Sequence, residues 1–287
     1  MTFVLSTVLV GLAGLAGGCG SSHEDGNRLP IVVGFYPLQF VAERIGGDRV
    51  AVTNLAQPGA EPHDLELSPR QVGAIADARL VVYLRGFQPA LDEAVDQADG
   101  PTVIDGASVV PPLPGGADPH LWLDPLRLGA IGTDVAGRLA ELDPSAADGY
   151  GARAEQLTAD LTALDREYQD GLRDCARREI VVNHAAFAYL ADRYGLRQVP
   201  ITGISPDTEP TPAQLAAAAE DARRAHATTI FFEPLVSPDV ARTVAGVIGA
   251  DTAVLDPVEG LEPGSTGDYL SVMRANLATL RTALGCA

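Results

Sequence analysis

Short runs rich in β-branched residues alternate with longer stretches of helical period along most of this chain. In the first half the runs are Ile31–Gly34, Val50–Leu55, Leu80–Leu84 and Thr102–Asp105. In the second half they are Ile180–Asn183, Val199–Gly203, Thr229–Glu233 and Thr252–Leu255. Such alternation is the pattern of a mostly parallel sheet with crossover helices. Five capping residues each stand directly before a proline: Ser68-Pro69, Asp124-Pro125, Asp143-Pro144, Thr211-Pro212 and Ser237-Pro238. Proline suits the first helical position because its missing N–H would be unpaired there, and the preceding side chain caps the next amides.

From Pro144 to about Arg177 the strand signal disappears. Tyr150, Leu157, Leu161, Leu164, Tyr168 and Leu172 follow one another at the spacing of a single helix face. A helix of roughly 30 residues is about 45 Å long, enough to run beside both halves. The chain therefore reads as α/β, with two similar lobes, each a mostly parallel sheet with flanking helices, joined by one long spine helix. The expected boundaries are 30–143 for the first lobe, 144–177 for the linking helix and 178–287 for the second lobe. A single doubly wound sheet with a long excursion fits the same periodicity.

The first 18 residues are small and apolar and end at Cys19. This run is short for a membrane span and carries the small residues of a signal-peptide cleavage region. A-G-G-C followed by Gly20, Ser21 and Ser22 resembles a bacterial lipobox, in which the cysteine becomes the lipidated first residue. Two details depart from that pattern: Ala16 stands where leucine is usual, and no Lys or Arg precedes Cys19. The expectation is a signal peptide over 1–19 and a polar tether over 20–29, giving an extracytoplasmic protein anchored to the membrane by lipid on Cys19. In an exported chain Cys175 and Cys286, far apart in sequence, are expected as a disulfide rather than two free thiols.

The 287 residues carry a net charge of −18, and every basic side chain is arginine. No basic stripe is available to displace counterions from nucleic acid, and an acidic surface repels anionic headgroups. The chain contains no H-E-x-x-H, G-x-S-x-G or phosphate-binding P-loop pattern, so an enzyme is not expected.

What remains is a set of polar loops at strand ends. His63 lies in G-A-E-P-H-D-L-E-L-S-P, His120 in A-D-P-H-L-W-L-D-P and His184 in I-V-V-N-H-A-A-F. Asp256, in A-V-L-D-P-V-E-G, stands at a fourth position of the same kind. Imidazole is the commonest metal ligand, and α/β folds bind ligands at strand C-termini. Each residue has an ordinary explanation taken singly: a solvated loop histidine, a helix cap, or an Asp-Pro turn former. All four at strand ends, two in each half, point to one metal site. His23 and His226 fail the same test, the first in the tether and the second at the wrong end of a strand. Three imidazoles and a carboxylate suit zinc, whereas manganese favours more oxygens. Glu61 and Asp64 could orient His63, and Glu61 and Asp118 could offset the charge of the ion.

With these residues in hand, the chain resembles the zinc/manganese solute-binding lipoproteins of ABC uptake systems, the ZnuA/TroA-like class. The resemblance runs from Ile31 to the C-terminus. It rests on the His63 and His120 motifs, N-H-A-A-F-A-Y-L-A-D-R-Y-G-L, G-I-S-P-D-T-E-P-T-P-A-Q-L, I-F-F-E-P-L-V-S-P and L-D-P-V-E-G-L. It implies two lobes bridged by a long helix with metal clamped in the cleft, and carries the ligands onto His63, His120, His184 and Asp256. A histidine at the third ligand implies zinc, with manganese as the alternative. It further implies delivery to an ABC permease and its ATPase, by a monomer. Many zinc members carry a His- and acid-rich loop between the first two ligands, where this chain has only the connector from Pro111 to Gly116. Glu209 either lines the cleft or shapes its backbone. Two other readings use the same residues: a zinc-dependent hydrolase with Glu61 or Asp256 as general base, and a surface adhesin with a structural metal.

Overall fold

The structure is a computed structural model that describes residues 28–114, 116, 118–206 and 210–287. Cys19, His23 and Glu209 lie outside the described residues. The strands are β1 (Leu29–Val33), β2 (Val50–Asn54), β3 (Leu80–Tyr83), β4 (Thr102–Asp105), β5 (Glu179–Val182), β6 (Arg197–Pro200), β7 (Thr229–Phe232) and β8 (Asp251–Val254). The helices are α1 (Tyr36–Gly46), α2 (Pro69–Asp77), α3 (Pro89–Gln97), α4 (Gly106–Val109), α5 (Pro125–Leu142), α6 (Ala147–Gly171), α7 (Ala188–Tyr194), α8 (Pro212–Arg224), α9 (Asp239–Ile248) and α10 (Tyr269–Leu284). None of the described helices is long and apolar enough to cross a membrane.

The strands form two separate four-stranded sheets, ordered β2-β1-β3-β4 and β6-β5-β7-β8, and every pairing is parallel. The two halves repeat one topology, so the single-sheet alternative falls. In each sheet the strand order reverses beside the first strand, which opens a crevice at the strand C-termini.

Three of the five expected caps form as the sequence implied, whereas at Ser237-Pro238 the helix α9 begins one residue later, with Pro238 itself at the N-cap. Ser68 and Thr211 each accept from the amide three residues on, while Gln71 and Gln214 return the bond to the cap amide. Asp124 caps α5 through Leu126 N. Asp143-Pro144 instead opens a 3₁₀ turn, Pro144–Ala146, that leads into α6.

The spine helix is 25 residues, about 38 Å, shorter than the sequence pattern allowed because its two flanks are turns. All six residues that the periodicity placed on one face are buried. On the first-lobe side Arg153 donates from α6 to the carbonyls of Ile45 and Gly46 at the end of α1. On the second-lobe side the buried Asp165 accepts two bonds from Arg193 and one from the Tyr194 hydroxyl, and Tyr168 Oη donates to Met273 O at 2.6 Å. One apolar core runs from Ile31, Phe35 and Trp122 through Leu157 and Leu161 to Ile180, Phe231 and Tyr269. A continuous apolar contact of this kind limits independent motion of the lobes.

Helix α7 begins at Ala188, three residues past the Ala185 that follows His184. The amides of Ala185 and Phe187 are drawn sideways, to Gly203 O and to the Gln198 side chain, so the first turn after His184 is not helical. Cys175, just past α6, is bonded to Cys286 at the chain end, with an S–S distance of 1.98 Å.

Candidate metal centre

The three histidines arrive by different routes. His184 follows β5 directly, after Asn183. His63 hangs from the long loop after β2, where Glu61 Oε1 accepts from the His63 amide and Gln88 Nε2 holds Pro62 O and Gly34 O. His120 precedes the 3₁₀ turn Leu121–Leu123. Trp122, fully buried, lies edge-on to Phe35 and Phe87, with ring centroids 4.6 and 5.2 Å away, and forms the floor of the site.

The group whose potential ligand atoms all lie within 4.8 Å of one another is His63, His120, His184 and Glu259. Asp256, the expected fourth ligand, is not in it. Its Oδ1 accepts from Val258 N at 2.7 Å, capping the turn, and Glu259 three residues on supplies the carboxylate instead. The pairwise distances are 3.2 Å from His63 Nε2 to His120 Nε2 and 3.4 Å from His120 Nε2 to His184 Nε2. Glu259 Oε1 lies 3.6, 3.1 and 3.3 Å from the Nε2 atoms of His63, His120 and His184. A regular tetrahedron with metal–ligand bonds of about 2.05 Å has edges of about 3.3 Å. The five distances match that figure, which is zinc-sized.

The hydrogen bonds behind the imidazoles set their lone pairs. His120 Nδ1 is 2.6 Å from Asp118 Oδ1, and His184 Nδ1 is 2.6 Å from Glu233 Oε1. A carboxylate only accepts, so each Nδ1 carries a proton and each Nε2, once it gives up its own, turns a lone pair to the centre. Asp118 thus orients a ring directly, a larger part than charge compensation alone. Glu233 was not singled out by sequence reasoning, although it directly follows β7 beside the switch point that His184 flanks. No bond from Glu61 or Asp64 to an imidazole is found among the described residues. His226 is exposed, at the start of β7 and away from the cluster.

Burial makes the cluster electrically tense. His120, His184 and Glu259 are each at most 2% exposed. Burial works against a charged His184, but hydrogen bonds to Glu233 and Glu259 outweigh it and hold its pKa at about 10. His120 is raised in the same way by Asp118 and Glu259 against its burial. Burial would raise Glu259, yet its three imidazole neighbours hold it well below the usual carboxylate range. Glu61 rises to about 8, through burial and the charge of Glu259, and Asp256 rises to about 7, chiefly through burial. Glu61, Glu233 and Asp256 line a small void beside Glu259. So much negative potential around four inward donors favours a dication.

Comparison with known proteins agrees with this geometry. The family model described as "Zinc-uptake complex component A periplasmic", ZnuA, matches residues 31–283. The high-affinity zinc uptake system protein ZnuA of Bacillus subtilis is 32% identical over 302 residues, covering 96% of this chain and 94% of that one. The zinc-binding lipoprotein AdcA of Streptococcus pneumoniae is 32% identical over 92% of this chain, which spans only 57% of AdcA's length. The crystal structure of the Zn(II)-bound ZnuA-like domain of S. pneumoniae AdcA superposes with a TM-score of 0.80 at 34% identity, covering 90% of this chain and 99% of that domain. With a family match over nearly the whole described chain, the protein belongs to the ZnuA family of substrate-binding proteins of ABC importers, which are not enzymes.

Proposed function

We propose that this chain captures zinc outside the cytoplasm, on His63, His120, His184 and Glu259, and delivers it to an ABC permease driven by its ATPase. The single observation that carries the reading is the convergence of three imidazoles and one carboxylate, three of the four residues buried, with five donor–donor distances of zinc size. The ion is cargo, so the residues need only bind, orient and release. Asp118 and Glu233 fix the imidazole tautomers, and Glu259 closes the shell in the place a hydrolytic water would need. Three nitrogens and one oxygen in a closed, buried set favour zinc over manganese, which prefers more oxygen ligands. Lobes 30–143 and 178–287, with 144–177 between them, bound the cleft. The reading includes a monomer held at the membrane by lipid on Cys19.

Titration calorimetry on protein freed of metal tests the proposal. One zinc per chain is expected, with most of the affinity lost in His120→Ala. Absence of zinc uptake by the folded wild-type chain would refute it.

A further inference from the structure

Glu259 reaches the histidines from a turn that its own sequence disfavours. Val258, immediately before it, is fully buried and has φ of +57°, a region a β-branched side chain enters only at a cost in free energy. Such a conformation persists when its surroundings over-determine it, and here the turn is held from four sides. Asp256 Oδ1 accepts from Val258 N at 2.7 Å. Asn276 on α10 clamps the backbone of Asp256, accepting from its N at 2.9 Å and donating to its O at 2.6 Å. Trp122 Nε1 donates across the cleft to Pro257 O at 2.7 Å, while Tyr269 Oη donates to Trp122 O at 2.6 Å. On the far side of Glu259, Leu261 O accepts from Gly59 N at 2.9 Å, in the loop that carries His63.

We infer that Asp256, Asn276 and Trp122 are positioning residues that hold the strained Val258 turn and so keep the Glu259 carboxylate among the three imidazoles. The inference rests on the zinc-carrier reading and gives Asp256 a role through its hydrogen bond rather than through the metal. It also ties the fourth ligand to the loops of His120 and His63 independently of any ion. The lobes therefore meet the metal with the site already assembled, and loosening the turn is the route by which Glu259 would withdraw.

The test uses the full chain and measures zinc affinity by chelator competition and the visible spectrum of the Co(II)-substituted protein. The variants are Asp256→Ala, Asp256→Asn, Trp122→Phe, Glu259→Gln and the double variants Asp256→Ala/Glu259→Gln and Trp122→Phe/Glu259→Gln. Loss of the cap is expected to weaken zinc on the order of 10–100-fold, the range for residues that support a ligand, and to shift the Co(II) bands towards those of Glu259→Gln. Asn keeps the acceptor for Val258 N, so Asp256→Asn should remain close to wild type. Each double variant should bind no more weakly than Glu259→Gln alone, because both changes remove one interaction. Trp122→Phe leaves the cap intact and carries the same two expectations, which covers the case in which Asp256→Ala does not fold. The inference is overturned if Asp256→Asn is as weak as Asp256→Ala, or if the effects of these variants add to that of Glu259→Gln. It is overturned alone if zinc binds, Glu259→Gln weakens it, and neither Asp256→Ala nor Trp122→Phe does. A wild-type chain that takes up no zinc overturns the carrier reading as well.

Discussion

Zinc should enter this site in exchange for protons. In the metal-free chain the hydrogen bonds to Glu233 and Glu259 overcome burial and hold His184 at about pKa 10, and His120 is also raised. At pH 7–8 His184 therefore carries a proton on both nitrogens, whereas a metal requires the bare lone pair of Nε2. One proton must leave His184 for each ion bound, and His120 contributes up to one more. Glu61 and Asp256, at about 8 and 7, hold further protons that a nearby dication drives off. Because the displaced group is protonated below pH 10, apparent affinity must rise with pH. Each proton displaced changes it about tenfold per pH unit, 1.36 kcal/mol. Between pH 6 and pH 8 His184 alone accounts for about a hundredfold. Calorimetry in buffers of different ionisation enthalpy counts the protons, and chelator competition follows the affinity. Glu233→Gln keeps an acceptor for His184 Nδ1 but removes the negative charge that raises His184, so it should lower the proton count at pH 8. An enthalpy that does not depend on the buffer, with affinity flat over the same range, would refute the reasoning.

The carboxylates give the metal-free fold a pH dependence of its own. Glu61 and Asp256 have folded pKa values above the roughly 4 of an unfolded carboxyl. The folded chain thus binds more protons between about pH 4 and 8, and stability falls progressively as pH rises through that window. Melting of the metal-free protein should fall in temperature from pH 5 to pH 8, and saturating zinc should offset the fall; a rise would contradict the burial argument. The Cys175–Cys286 bridge closes a sequence separation of 111 residues, for which chain entropy gives at most about 4.7 kcal/mol. Replacing both cysteines by serine should lower the melting temperature on the order of 10 °C and leave zinc affinity unchanged, as thermal scans and chelator competition would show.

The fold was legible in the sequence because its two periodicities are strong. All eight strands occur where the β-branched runs lie, and the buried face of α6 carries five of the six residues its spacing named, with the sixth, Leu172, buried at its C-cap. Boundaries slipped where hydrogen bonds rather than hydropathy decide. His184 does not lead straight into a helix, because Gly203 O and the Gln198 side chain claim the amides of Ala185 and Phe187 first. Pairing across space is not written in local pattern. For the same reason the Glu233 carboxylate behind His184 stayed hidden: it lies on another strand, and only the neighbouring of β5 and β7 brings the two together.

The fourth ligand shows where local reasoning was one step short. Aspartate before proline is a turn former because its carboxylate accepts a nearby backbone N–H. That same property removes it from the metal: the oxygen that bonds Val258 N is spent on the turn. The turn it makes then decides which acid faces inward. With Val258 in the left-handed region, Glu259 turns back to within 3.1 Å of His120 Nε2, fully enclosed. A sequence shows two acids three residues apart in L-D-P-V-E-G, and hydropathy favours neither. A β-branched residue at positive φ is the least expected conformation at that position, so propensity argues against the geometry that places Glu259. What stabilises it comes from Asn276 and Trp122, both remote in sequence. The strain at Val258 and the identity of the ligand are thus one fact, and a chain that lost either clamp would present the imidazoles without their carboxylate.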